Sequence, residues 1–520
     1  MANYDVIIVG AGHNGLTCGA FLAKSGYRVL ILERRHVVGG AAVTENDLWP
    51  GYKISRASYL PQIEDKIVDD LDLKNFGYIT GVVDPKDLHV FKNGKYLTMY
   101  GDPKKTAKEI EKFSKKDALA FLKFHGMAKM FGEAMGPLLL APPPALTDIV
   151  SIISGSEFEE IIRNFLLMGS AQLVNELFES EELKVVLCQL SIGNTAMSPT
   201  EAGTAYLLAL GTGSEGHTYA VGGSGAASFA LARACQHYGA NIQLNSTVKR
   251  ILIDNNERVK GIELSNGKKV EAPVVVSNAD PKTTVLKMIE PDVLGTEFTE
   301  KVRKLRNDGG QTKVNATLKK LPEMKCFADQ NVVDPHLLGQ TTFSESFSDL
   351  VKSSYQCSVG EIPDNPPIYN FMQTVWDTSV APPGHHTISS IIRFTPYTLR
   401  KGSWKDRIDE LKDKYTSMWQ EYSTNFEPSI EHIEVLSPWH NEQLLNIDQG
   451  HVSHLEQCLY QMLGFRPLLG YSNYRLPGKG LYLCGAGTHP GGGVHGACGH
   501  NAAMVILEDF EEGLISRAGS

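Results

Sequence analysis

Gly10, Gly12 and Gly15 stand in the spacing G-x-G-x-x-G, and Glu33 follows 18 residues after the last of them. Glycines at this spacing carry a dinucleotide rather than react with one. The first permits a tight turn, the second lets main chain approach a pyrophosphate, and the third lets a helix pack closely on its strand. An acid at the position of Glu33 can accept hydrogen bonds from ribose hydroxyls. Beyond it lie Arg34 and then Gly39, Gly40 and Ala41, small residues that suit main chain lying along a cofactor. Near the other end, Gly485 and Gly487 lead into Gly491-Gly492-Gly493-Val494. Three successive glycines let backbone lie against a flat ring.

Histidines are the candidates for proton transfer, because their pKa lies near neutrality. The chain has 16, of which His217, His451, His454, His489 and His495 merit weighing. His489 and His495 flank the triple glycine, and they and His454 are the candidate catalytic residues. His451 and His454 have a spacing that a metal could use, but no further ligand is spaced to join them, so no metal site is expected. The eight cysteines include no C-x-x-C or C-x4-C pair, and Cys484 and Cys498 read as packed thiols.

These residues need elements to hold them. Val6 to Val9 reads as a buried parallel strand, a helix follows, Gly26 ends it, and Arg28 to Leu32 is the second strand. Further strands are expected at Val259 to Leu264, up to Ser277, at Ile368 to Val375 and at Leu481 to Leu483. A helix from Val494 to Glu511 would aim its N-terminus at the flavin edge that gains negative charge on reduction. Three features favour FAD over NAD. Gly39-Gly40 make a second close approach, the motif opens the chain, and the β-α-β alternation then stops. Gly222-Gly223-Ser224-Gly225 lacks the spacing of a second nucleotide loop and reads as glycines for helix packing.

Net charge is −9, which gives no basic face for nucleic acid. Scattered thiols, a first strand beginning at residue 5 and no long apolar run lead to the expectation of a cytoplasmic protein. Phe121 to Met135 is an apolar Phe/Met stripe that reads as core or as a tunnel wall. Leu138 to Pro144 is an apolar stretch broken by prolines, read as a buried loop, a tunnel mouth or a lip in loose contact with a membrane.

With both ends read, the chain resembles the carotenoid (phytoene) desaturase and amine-oxidase-like group of FAD enzymes, most of all its phytoene-dehydrogenase-related branch. The matching residues are Gly10 to Gly15 with Glu33, Gly39 and Gly40; Tyr219 to Gly225 with Thr247-Val248; Val276 to Ala279 and Asp280; Arg466-Pro467; and Leu481 to Ala503. The resemblance implies an α/β fold: a Rossmann-like FAD-binding domain of the glutathione-reductase type with an inserted α+β substrate domain. The FAD domain would use 1–100, 216–281 and 446–520. A mostly helical insertion would span 101–215 and the substrate domain 282–445. The residues at Gly10 to Gly40 would hold the ADP half, Val248 the adenine, and Gly487 with Gly493-Val494 the ribityl chain and ring. The activity implied is hydride removal from a C–H bond of an apolar, isoprenoid- or carotenoid-like molecule onto flavin N5. The alternatives are a flavin amine oxidase and a weakly catalytic flavoprotein that binds a partner.

Overall fold

Val6–Val9 (β1) and Val29–Leu32 (β2) are aliphatic and buried at every position. A strand with no polar alternation has to be covered on both faces, which is how parallel sheets are built. The computed structural model describes residues 4–58, 60–145, 147, 155, 158–193, 195–213, 216–291, 293–330 and 332–519, and it contains that sheet. Five parallel strands run in the order Leu481–Leu483, Val274–Ser277, β1, β2, Asn241–Gln243. Three separated stretches of chain thus meet in one sheet.

Side-chain alternation divides its two faces. Val6 and Ile8 enter a core with the helices His13–Lys24 (α1), Gly225–His237 and Ala497–Glu511. Ile7 and Val9 enter a second core beneath the antiparallel strands Val248–Ile253, Val259–Leu264 and Lys269–Glu271. Each fully buried aliphatic side chain contributes about 1.5–3 kcal/mol. The helices lie close enough that a Cβ on Gly499 would come within 2.0 Å of the Asn14 carbonyl oxygen.

The second sheet has seven strands: Ile430–Leu436, Gly309–Leu318, His386–Pro396, Ile368–Phe371, Gln340–Phe343, Asp87–Val90 and Tyr96–Met99. The last two form a hairpin through Asn93-Gly94, where Gly94 has φ 82°. The stretch 1–100, expected to serve the dinucleotide domain, therefore lends two strands to the other sheet.

Lys313 lies opposite Ile391, Ile391 opposite Tyr369, and Tyr369 opposite Thr342. That register places Gln311, Lys313, Arg393, Tyr369, Gln340 and His89 on one face. Val314, Ala316, Ile388, Ile392 and Phe343 take the other face and pack on the helix Trp404–Tyr422. Arg56 joins the two halves of the molecule, since its Nη1 donates to Glu45 and its Nε to Glu434, each at 3.1 Å.

Two local expectations need correction, and one pair of alternatives is decided. The last helix begins at Ala497, not Val494, because Gly496 holds a left-handed turn (φ 79°) in front of it. The strand at Ile368 stops at Phe371, where a 3-10 turn over Gln373–Val375 takes over. The Phe/Met stripe, in the helix Lys115–Leu139, is core: Phe124 and Phe131 pack on Phe165. Part of the expected helical insertion, 148–154, lies outside the described residues.

Candidate dinucleotide and substrate site

A cavity of about 400 Å³ opens at the C-terminal ends of the parallel strands, against the polar face of the seven-stranded sheet. Doubly wound sheets bind ligands at this edge. Glu33 sits just past β2 and is 6% exposed. The Ala11 N–H donates to one of its carboxylate oxygens and the Arg35 N–H to the other, both at 2.9 Å. Each oxygen keeps a lone pair for a ligand in the cavity that Glu33 lines.

The glycines divide into two kinds. Gly10, Gly12 and Gly40 line the cavity, and a Cβ on Gly40 would come within 3.2 Å of the Gly12 Cα. Two stretches of main chain are therefore in contact at the cradle. Gly12 stands at the N-terminus of α1 with no side chain capping it, so the first helical N–H groups are available to an anion. Gly15 serves packing, since its Cβ would fall 2.3 Å from the Gly10 carbonyl oxygen. Gly39 does not line the cavity; its N–H donates to the Ala11 carbonyl at 2.8 Å.

Arg34, Ala41, Val248, Ala279, Gly493 and Val494 all line the cavity as well. Gly485 and Gly487 do not. A Cβ on Gly485 would strike the Asn278 carbonyl oxygen at 2.7 Å and the His454 ring at 3.0 Å, and one on Gly487 would meet Pro281 at 2.4 Å. Those two glycines make room for protein.

Of the three candidate histidines, only His454 reaches the cavity. It takes a left-handed backbone (φ 64°), and its Nδ1 is buried with no partner. Desolvation, reinforced by Arg466, pushes its pKa down to about 3. His489 Nε2 donates to the Leu138 carbonyl at 2.8 Å, and His495 Nδ1 accepts from the Ala497 N–H at 3.0 Å. Each ring is thus held by main chain, and neither lines the cavity. His451 is held against buried Glu456, with Nε2 at 3.6 Å.

His13 lines the cavity and was not singled out from sequence, although it sits inside the glycine motif. Its Nε2 donates to the Gly493 carbonyl at 3.1 Å, and burial pushes its pKa down to about 3. Asn14, from the same motif, lines the cavity too, as do Arg35, Gln311, Gln340, Tyr369 and Ile391, which no motif announces.

Asn14 Oδ1, Arg35 Nη1 and His454 Nδ1 are buried polar atoms without partners, all on cavity residues. Each unmet group costs roughly 1–3 kcal/mol. A polar cofactor lying from Glu33 past α1 to His454 fits that set. The helix Gly225–His237 offers no such seat. Its leading N–H groups are taken by protein: Gly222 by Asp377 at 2.7 Å, Ser224 by Ser55 at 3.0 Å and Gly225 by Thr44 at 2.8 Å.

Leu138 to Pro144 is tied down rather than free-standing. Asn501 Nδ2 donates to the Leu139 carbonyl at 3.0 Å and the Ala141 carbonyl at 3.2 Å. Among the described residues no helix is long and apolar enough to cross a membrane. Cys498 Sγ donates to the Gly491 carbonyl at 3.3 Å, and burial raises both it and Cys484, so these are packed thiols.

Residues 8–69 match the family described as NAD(P)-binding Rossmann-like domain. The chain is 32% identical to pyridine nucleotide-disulfide oxidoreductase domain-containing protein 2 of Rattus norvegicus, over 98% of this chain and 94% of that protein. It is 29% identical to a limonene dehydrogenase polypeptide of Castellaniella defragrans, over 97% and 95% of the two chains. Against phytoene desaturase of Fusarium fujikuroi the figures are 26%, 94% and 86%. Among solved structures, a putrescine oxidase superposes with TM-score 0.62 at 13% identity, covering 97% of this chain and 98% of that one, a likeness of fold alone.

Proposed function

Since the chain belongs to the family of pyridine nucleotide-disulfide oxidoreductase domain-containing protein 2, we propose that it is an FAD-dependent dehydrogenase that oxidises a C–H bond of an isoprenoid-like molecule. The observation that carries this reading is the Glu33 carboxylate, pinned by two main-chain N–H groups at the head of the glycine cradle. Bound there, FAD supplies a hydride acceptor.

The chain's own part is to bind, orient and exclude water. Glu33 accepts from the adenosine ribose. The N-terminus of α1, with Gly12 and Gly40 in close approach, takes the pyrophosphate. Val248, Ala279 and Gly493-Val494 wall the remainder. Burial and then Arg466 hold His454 down at about 3, so it binds a proton weakly at neutral pH and serves as a hydrogen-bond partner that fixes orientation.

Two facts support oxidation of an isoprenoid over reduction by a nicotinamide. The relatives carry the names limonene dehydrogenase and phytoene desaturase. At the glycine-rich start of the helix Gly225–His237, the N–H groups of Gly222, Ser224 and Gly225 are occupied by side chains.

Anaerobic mixing of the flavin-loaded protein with limonene, geraniol, benzylamine or NADH tests the reading. Bleaching of the flavin by an isoprenoid, and little or none by NADH, is expected. Rapid, saturable bleaching by NADH or by the amine would overturn it.

A further inference from the structure

The cavity wall supplied by the seven-stranded sheet is unlike a lining for a bare hydrocarbon. Gln340 lines it, is 7% exposed, and buries its Oε1 without a hydrogen-bond partner. An unmet amide oxygen costs roughly 1–3 kcal/mol, and a leucine of similar shape would avoid that cost. The fold gives no reason for the amide: Gln340 pairs with Phe371 through main chain, which any residue can do.

His217, from the strand His217–Ala220, lines the same cavity. Desolvation, and then the Lys86 cation, push its pKa down to about 4. It is therefore a neutral imidazole with one N–H to donate and one lone pair. The two side chains reach the cavity from different elements that Trp376 brings together: its ring stacks on Tyr219, two residues after His217, at 6.0 Å and on Phe371, the main-chain partner of Gln340, at 5.8 Å. Thr341 pairs with Leu88, so Gln340 lies beside Asp87, the residue after Lys86. Lys86 is the cation that acts on His217.

We infer that the substrate is an isoprenoid alcohol, whose hydroxyl donates to Gln340 Oε1 and accepts from the His217 imidazole N–H. This rests on the dehydrogenase reading and names its substrate class. A ketone oxygen can only accept and would leave Gln340 unmet. An ammonium would be repelled by the same Lys86 cation that lowers His217. A hydroxyl both donates and accepts. Leu190, Ile391 and the ring of Tyr369 offer apolar surface for the carbon chain. The Tyr369 hydroxyl is not available, because it donates to the Gln189 carbonyl.

Equilibrium dialysis of the purified holoprotein against geraniol and against its deoxy analogue, 2,6-dimethylocta-2,6-diene, tests the inference. Flavin content is measured separately on the same samples. Wild-type protein should bind the alcohol at least about tenfold more tightly, since sites that grip a hydroxyl reject analogues lacking it. Gln340→Leu should erase that preference by weakening geraniol at least about tenfold, with binding of the diene equal or tighter. His217→Phe should weaken geraniol in the same direction, and melting curves show that both variants fold. Equal binding of the two ligands by wild type, no binding of either, or a preference that survives Gln340→Leu would each overturn the alcohol assignment. A flavin-free protein would instead sink the dehydrogenase reading, and dialysis would still report on the alcohol.

Discussion

The two sheets that enclose the cavity are built on opposite rules. In the parallel sheet β1 and β2 are apolar on both faces, and the polar residues brought to the cavity lie just past strand ends, as at Glu33 and Asn278. The seven-stranded sheet is apolar on one face alone. Its other face carries Gln311, Lys313 and Arg393 along its strands and Gln340 at the start of one. Desolvation, with Arg393 alongside, pushes Lys313 down to about 7. The difference separates two tasks. A cofactor common to many enzymes can be held by main chain at strand ends, whereas recognition of one substrate needs side chains planted on a rigid surface.

The sharpest way to break the first rule is to fill the cradle. Gly15→Val sets a branched side chain where even a Cβ lies 2.3 Å from a carbonyl oxygen. A loss of about 3 kcal/mol or more, with no flavin retained, is expected by urea denaturation and absorbance. Val276→Ser attacks the sheet itself. It buries a hydroxyl at a fully enclosed position and should cost about 1–3 kcal/mol. Little change in the denaturation midpoint would contradict the account of a sheet sealed on both faces.

Glu33→Ala asks whether the strand-end carboxylate binds the ribose. FAD affinity should fall by about 1–3 kcal/mol in a fluorescence titration. Full retention of FAD through dialysis would remove that role.

Acid tests the histidines at the strand ends. His13 and His454 are held to about 3 in the folded chain, below the ordinary histidine value of 6.5. The unfolded chain therefore binds more protons between pH 3 and 6.5. Stability is full above that window and falls as pH drops through it, by up to about 1.4 kcal/mol per pH unit for each histidine. Denaturation midpoints at pH 5, 6 and 7 should show the slope, and His454→Asn should make it shallower.

The smallest effect has the opposite sign. Gln340→Leu should leave ligand-free stability unchanged or raise it by up to about 1 kcal/mol, because it removes an unmet polar atom. A large destabilisation would show that Gln340 holds the sheet together rather than a substrate.

The parallel sheet was legible from sequence because each of its residues answers to one local cause. Gly10, Gly12, Gly15 and Glu33 stand in a fixed frame around two aliphatic strands, and the structure puts them at one sheet edge. The far wall was not legible. Gln340 and Gln311 look like the solvent side of a half-buried strand, since alternation reports two faces without saying what covers the polar one. The Phe121 to Met135 stripe left two readings open. Aromatic residues at helical spacing read alike whether they line a tunnel or pack a core, and these pack a core. Gly485 and Gly487 look like cofactor glycines, but long-range neighbours, Asn278, His454 and Pro281, demand their small size.

FAD in the Glu33 cradle is the proposal to test first. Purified protein can be denatured and the released chromophore identified by chromatography and mass. The account predicts a yellow protein that yields FAD in proportion to its chains. A colourless protein that takes up NAD in the same cradle would contradict it.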